Sequence, residues 1–247
     1  MSEAIKLGFA PLALPRQGVL VVYAAEGLKL GAATRRLLGG AENAAMRAAR
    51  ADGFTGKSGS ALEIVAPPGL KVSRLIIVGV GKAIDFKPQD YLKLGGVAAG
   101  RIPQNAREAA IAVDLPFGQM TPDQAAEVAL GCRLRAYKFG RYKTTRKNSE
   151  DAPVEAKITL LSADPAALRR AWRRQEALAD GVVMARDLVN EPPNVLFPAE
   201  FARRAAALKK LGVAVEVHDE RALKRLGLRA LLAVGQGSAN ESRVVIM

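Results

Sequence analysis

The sequence predicts an α/β protein: an amino-terminal α/β domain with a mixed sheet flanked by helices, followed by a second, truncated α/β domain. Three observations predict it. Short apolar runs of strand type, such as Val19 to Tyr23 (VLVVY), alternate with Ala-rich helical stretches, the pattern of a layered α/β fold. Arg74 to Val80 (RLIIVGV) is almost continuously apolar, as a strand covered on both faces must be. The chain closes on Arg243-Val244-Val245-Ile246-Met247, strand-like, with no turn, cap or polar tail behind it. A buried strand needs neighbours on both sides, so the domain that begins there is expected to continue outside this sequence.

Taken in order, Val19 to Tyr23 is the first strand, and Ala32 to Asp52 an Ala-rich helix weakened in its middle by Gly39 and Gly40. Ala61 to Ala66 alternates as a strand, Pro67-Pro68-Gly69 turns, and Arg74 to Val80 follows. Pro88 to Ala99 and Gln104 to Ala109 read as helical pieces, Pro88 standing where a helix start tolerates it, and Ala110 to Leu115 as a strand. Thr121-Pro122-Asp123-Gln124 combines a Thr cap, Pro at the first helical position and Gln at the third, and launches a helix towards Phe139. Lys157 to Leu161 is the last strand of a domain spanning 1–162. Asp164-Pro165 opens a long periodic helix carrying Trp172, Ala177, Val182, Met184 and Leu188, which could cross between domains; residues 163–194 form this link and its Pro-rich exit. From 195 to 247 a helix from Pro198 to Leu211 ends at Gly212, and a strand follows from Val213 to Val217. Asp219 then caps a short helix closed by Gly227, and Leu231 to Val234 leads into Gly235-Gln236-Gly237-Ser238 as the next βα step.

Composition bounds the function. With 247 residues, 49% hydrophobic and 25% charged, the chain can bury a real core and is neither disordered nor fibrous. Cys132 is the only cysteine, so no intrachain disulfide is possible and the cytoplasm is the default compartment. Pro11, Pro15 and Arg16 interrupt the apolar patches between Leu7 and Ala25, and no basic stretch precedes them, so neither a signal peptide nor a membrane span is read there. The net charge of +13 is concentrated: Arg133, Arg135, Lys138, Arg141, Lys143, Arg146 and Lys147 occur without an intervening acid. Interleaved with Tyr137, Phe139 and Tyr142, this run (133–147) could track a DNA phosphate backbone, or it could be a solvated basic face.

Several motifs point to chemistry without completing it. Ala51 to Ser58 (ADGFTGKS) nearly spells a phosphate loop, but Ala51 replaces the first glycine and the segment follows a helix instead of a strand. Gly79-Val80-Gly81-Lys82 does leave a strand, yet Ile84 stands where a dinucleotide fingerprint needs its third glycine. His218 is the only histidine, and Asp187, Glu191 and Asp219 are available as carboxylates, at spacings that do not single out a metal site. Cys132 lies among arginines with no evident base, and no G-x-S-x-G elbow occurs.

Ala185-Arg186-Asp187-Leu188-Val189-Asn190-Glu191-Pro192-Pro193-Asn194, then Pro198, then Gly227 to Ser238 (GLRALLAVGQGS), closely resemble the leucine (cytosol) aminopeptidase family. Ile76 to Lys82 resembles that family's amino-domain strand exit, and Tyr137 to Lys143 the helix before its interdomain region. The resemblance implies a cytoplasmic, homohexameric metalloprotease that releases amino-terminal residues from peptides, leucine preferentially, with two divalent cations, manganese or zinc. It places the metal ligands and the catalytic lysine and arginine beyond the strand near Arg243. No catalytic, cofactor-binding or metal-ligating residue is therefore assigned here, and the chain alone is expected to bind no metal and to be inactive. Arg186, Asp187 and Asn190 are expected to pin the interdomain helix, Pro192 and Pro193 to stiffen its exit, and Gly235 and Gly237 to allow a tight turn beside neighbouring strands. Two alternatives are a nucleic-acid-binding module using 133–147 and a structural oligomerisation module.

Overall fold

A computed structural model describes residues 5–144 and 156–247. The chain divides into two compact units, Met1–Met184 and Ala185–Met247. The first is built on a mixed sheet in the order β1-β9-β6-β2-β5-β4, with β3 beside β2. In chain order these elements are β1 (Ile5–Pro11), β2 (Val19–Ala25), β3 (Lys29–Leu30), α1 (Ala32–Leu38), α2 (Glu42–Ala51), β4 (Ala61–Val65), β5 (Arg74–Gly81), α3 (Asp90–Arg101), β6 (Glu108–Ala112), β7 (Asp114–Leu115), β8 (Gly118–Gln119), α4 (Pro122–Arg135), β9 (Ala156–Ser162) and α5 (Pro165–Asn190). β1, β9, β6, β2 and β5 run parallel, while β4 closes one edge antiparallel to β5.

Central position explains the composition of the strands. All seven residues of β2 are buried, because β5 and β6 flank it and helices cover both faces. Val19, Val21 and Tyr23 pack with Val128 of α4, Leu94 of α3 and Leu168 and Trp172 of α5, whereas Leu20, Val22 and Ala24 pack with Leu38, Ala45 and Ala49 of α1 and α2. Each such aliphatic side chain contributes about 1.5–3 kcal/mol of burial. α3 and α4 meet backbone to backbone: a Cβ at Gly95 would overlap the Val128 carbonyl and one at Gly131 the Leu92 carbonyl, so only glycine permits this approach.

Several expectations are met and others corrected. Thr121 and Gln124 form the capping box, Asp164 accepts from the Ala167 amide at 2.8 Å, and Asp219 accepts from the Ala222 amide at 2.8 Å. The Ala32–Asp52 helix is interrupted by a 3-10 turn at Gly39–Ala41, where Gly39 adopts φ +51°. Gln104 to Ala109 is not helical: α3 ends before Pro103, whose carbonyl accepts from Ala106 in a turn, and β6 starts at Glu108. β6 stops at Ala112 and the helix from Pro122 stops at Arg135, short of Phe139. β1 is an addition, legible in neither run length nor alternation because Gly8 and Pro11 dilute it. As an edge strand it needs only its ladder to β9.

The second unit holds the end of α5, α6 (Pro198–Ala206, extended by a 3-10 turn to Leu211), β10 (Glu216–His218), α7 (Glu220–Arg225), α8 (Arg229–Gly235) and β11 (Val244–Ile246). Gly212 and Gly227 end their helices at φ +86° and +73°. Two corrections fall here. Leu231 to Val234, expected as the strand of a βα step, is helical, since a four-residue apolar run does not distinguish the two and the Gly227 stop leaves room for a new helical turn. The expected strand from Val213 begins only at Glu216, and β11 pairs with it antiparallel, Val217 opposite Val245.

Candidate functional site

The two glycine motifs are each other's partners. Gly81 donates its amide to the Gly56 carbonyl (2.9 Å), Gly59 to Gly79 (3.1 Å), and Gly79 to Ser60 (2.8 Å), so the 51–58 segment lies along the exit of β5. A Cβ at Gly79 would overlap the Lys57 carbonyl, and one at Gly56 the Ala25 carbonyl. The Gly79 and Gly81 amides are spent on this ladder, to which the 51–58 segment contributes the Gly56 carbonyl, and the glycines serve close backbone packing.

The other residues singled out are dispersed. Among the described residues no group of three or more His, Cys, Asp and Glu side chains is arranged to hold a metal ion, so they do not fit a two-cation centre. His218 Nε2 lies 3.3 Å from Glu216 on its own strand. Asp219 is committed to its helix cap, and the Ala222 amide together with nearby arginines holds its carboxyl below the usual value. Burial pushes the Cys132 thiol up to about 12; its Sγ donates to the Gly95 carbonyl, and it is no nucleophile. Beside it Tyr23 is raised well above its ordinary value, by burial first and by Cys132 second, and its hydroxyl has no hydrogen-bond partner among the described residues. A buried carboxylate that the sequence did not mark is Asp114, at β7, whose Oδ2 accepts from the Thr34 amide (2.7 Å) and hydroxyl (3.0 Å) at the start of α1.

Of the basic run, Arg146 and Lys147 lie outside the described residues. Arg133 faces Asp180 of α5 at 3.6 Å, and Phe139 and Tyr142 pack on each other, centroids 5.9 Å apart. A denser cationic face occurs on α5, where Arg169, Arg170, Arg173 and Arg174 are all exposed and make no ion pair among the described residues. Their i, i+1, i+4, i+5 spacing puts them on one side of the helix. The signal is present in the sequence as two Arg-Arg pairs four residues apart, but Asp164, Glu176 and Asp180 flank them, so they do not stand out as an acid-free run does.

The buried charged group of the second unit lies within the Asn190-Glu191-Pro192-Pro193 run. Glu191 has a fully buried side chain, and Arg204 of α6 reaches it with Nη1 at 3.3 Å while its Nε donates to Glu200 at 2.8 Å. Arg203 adds two bonds to Glu200, both 2.6 Å. Those two arginines hold the Glu200 carboxyl down to about 2, and Glu200 in turn raises both guanidinium groups. A buried carboxylate without a cation would be costly, so Glu191 and Arg204 specify how the Pro-rich exit meets α6. Asn190 donates to the Arg186 carbonyl within its own helix (2.8 Å). A Cβ at Gly235 would meet the Ser242 hydroxyl, which a rotation of that side chain relieves, and one at Gly237 would meet nothing, so neither position requires a glycine.

The family description "Cytosol aminopeptidase family, N-terminal domain" matches residues 19–146, and "Cytosol aminopeptidase family, catalytic domain" matches residues 183–247. Relatives named probable cytosol aminopeptidase include one from Bradyrhizobium sp., 52% identical over 247 residues, all of this chain and 49% of the relative, and one from Afipia carboxidovorans, 53% identical with the same coverage. The chain thus spans about half the length of the curated relatives it matches. Among solved structures, a tomato leucine aminopeptidase mutant superposes with a TM-score of 0.80 at 24% identity, covering 98% of this chain and 50% of that one. The bottromycin maturation enzyme BotP in complex with Mn gives 0.70 at 24%, covering 92% and 44%. At that identity both concern the fold, and both agree with the α/β architecture above. A cytoplasmic location agrees with the names of the relatives, and no helix among the described residues is long and apolar enough to cross a membrane. The chain belongs to the cytosol aminopeptidase family.

Proposed function

We propose that this chain is the amino-terminal domain and the opening of the catalytic domain of a metal-dependent aminopeptidase, a dinuclear metallo-exopeptidase that releases amino-terminal residues from peptides, leucine preferentially. The observation that supports it is the succession of the two family matches in one chain, with about 50% identity to the relatives throughout. The boundaries we propose are 1–162 for the amino-terminal domain, 163–194 for the linking helix and Pro-rich turn, and 195–247 for the start of the catalytic domain. The two cations, manganese or zinc, belong to the whole protein and take no ligand from the residues described, and the whole protein assembles as a homohexamer. The test is metal-stimulated hydrolysis of leucine p-nitroanilide, read beside the intact denatured mass. A polypeptide of 26.2 kDa is expected to be inactive and one about twice as heavy active. Activity at 26.2 kDa would overturn the assignment of the ligands, and inactivity of the heavier species the aminopeptidase reading.

A second reading, nucleic-acid binding, is favoured by the four exposed arginines on one side of α5. Contacts of this kind release counterions, so duplex affinity should fall steeply, by about tenfold or more, between 50 and 200 mM salt. Binding that ignores salt would sink it.

A further inference from the structure

Glu127 is a carboxylate without a cation in a chain that carries 37 Lys and Arg against 24 Asp and Glu. It stands half-buried in the second turn of α4, where its Oε1 accepts from the Gln175 amide of α5 at 2.5 Å, and it makes no ion pair among the described residues. A partly buried carboxylate held by one neutral donor is incompletely compensated. Its side chain borders a crevice of about 530 Å³ whose other walls include Phe86, Lys87, Pro88, Tyr91 and Gln124. That volume is in the range of small-molecule sites. The crevice lies where β5 has left the sheet and α3 and α4 begin, at the carboxyl end of the parallel strands, the end at which open α/β sheets place ligands.

Three kinds of group meet there. Phe86 and Tyr91 stand edge to face with ring centroids 5.0 Å apart, and Phe117 packs on Phe86 at 5.1 Å, so the aromatic wall is fixed by its own contacts. Lys87 supplies the charge opposite to that of Glu127. Its amide donates to Asp90 Oδ2 (2.8 Å) while Asp90 Oδ1 pairs with Lys93 (2.8 Å), so that carboxylate is taken and the Lys87 ammonium has no ion pair among the described residues. Gln124 gives its Oε1 to the Thr121 amide (2.9 Å) in the capping box, which leaves its own amide hydrogens to donate.

We propose that this crevice binds a free α-amino acid with an apolar or aromatic side chain, its ammonium on Glu127, its carboxylate on Lys87 and the Gln124 amide, and its side chain against Phe86, Pro88 and Tyr91. A zwitterion matches a lining that carries one charge of each sign. A simple anion would face Glu127 and a simple cation Lys87, each at a cost. The inference stands on this lining and goes beyond the aminopeptidase reading; where both hold, a released residue occupies a site in the amino-terminal domain.

The test titrates the deuterated, nitrogen-15-labelled full chain, free of metal, with L-leucine and reads the backbone amide shifts. Saturable shifts confined to 86–91 and 124–127 are expected, with a Kd on the order of 1 mM or tighter. Leucinamide, which lacks the carboxylate, isocaproate, which lacks the ammonium, and glycine, which lacks the side chain, should each bind at least about tenfold more weakly. Lys87→Gln should abolish the preference for leucine over leucinamide, and Glu127→Gln the preference over isocaproate, while Lys71→Gln, exposed just before β5, changes neither. Lys87 is exposed, so its variant keeps the fold; the Trp172 unfolding transition checks that Glu127→Gln does so too. No saturable shift, shifts centred on 185–247, equal binding of the three analogues, tighter binding of the dipeptide leucylglycine, or a leucine affinity indifferent to both substitutions overturns the proposal. Hydrolysis of leucine p-nitroanilide plays no part in this readout: an inactive protein leaves the crevice standing, and failed binding leaves the aminopeptidase reading standing.

Discussion

β2 and β11 are both short Val-rich runs, yet one is the best-buried segment of the molecule and the other is half in solvent. All of Val19–Ala25 is buried between β5 and β6 with helices on both faces, whereas Val244–Ile246 has β10 as its one strand neighbour and Ile246 is 53% exposed. The first unit buries two apolar clusters, one on each side of its sheet; the second buries Ala202, Ala205, Val215 and Leu223. The same residue types are therefore core in one unit and surface in the other, and the number of layers around a strand, not its composition, decides which.

Five measurements break or sharpen that contrast. The largest effect is expected from Leu75→Ala in β5, a fully buried side chain: about 3 kcal/mol lost from unfolding followed by the fluorescence of Trp172, the single tryptophan, which lies in the first unit's core. A loss under about 1 kcal/mol would mean that this core is loosely packed. Next, Glu191→Ala leaves Arg204 without its buried partner and should cost about 2 kcal/mol, read as faster amide exchange along α6, since Arg204 retains partial exposure and its bond to Glu200. Thr121→Ala removes the capping box of α4 and should cost about 1 kcal/mol in the Trp172 transition.

A smaller effect is expected from pH. The folded-state pKa of Glu200, about 2, lies below its ordinary 4.5, so its support for α6 is complete above pH 4.5 and is lost as pH falls towards 2. Carbon-13 titration of the Glu200 carboxyl should show a midpoint well below 4.5; a midpoint at the ordinary value would remove the arginine contacts from solution. The smallest effect belongs to Tyr23→Phe. The hydroxyl it deletes is buried without a partner among the described residues, so stability should stay within about 0.5 kcal/mol or rise. A loss of 2 kcal/mol would show that the hydroxyl is bonded in solution.

Much of the first unit was legible because its signals are local. Thr121-Pro122-Asp123-Gln124 is a capping box in any context, and the apolar continuity of Arg74 to Val80 leaves a central strand as its natural place. β1 was not legible, since an edge strand held by backbone bonds to β9 requires no apolar run. The helix at Leu231 to Val234 is not legible for a related reason: four apolar residues suit either element, and the choice rests on the turn at Gly227 and on neighbours far along the chain.

By itself the sequence determined the α/β class, the absence of a disulfide, the principal caps and the kinship carried by Ala185 to Asn194 and Gly227 to Ser238. Only the tertiary structure decided that the exit of β5 packs along the 56–60 segment with Gly81 bonded to Gly56, that Glu191 is the buried carboxylate of its segment with Arg204 as its counter-ion, and that α8 and the β10–β11 ribbon are left uncovered. Caps and periodicity are written within a few residues, so they can be read along the chain. Hydrogen-bond satisfaction, charge pairing and burial are properties of neighbours brought together from distant positions, and they exist only once the chain has folded.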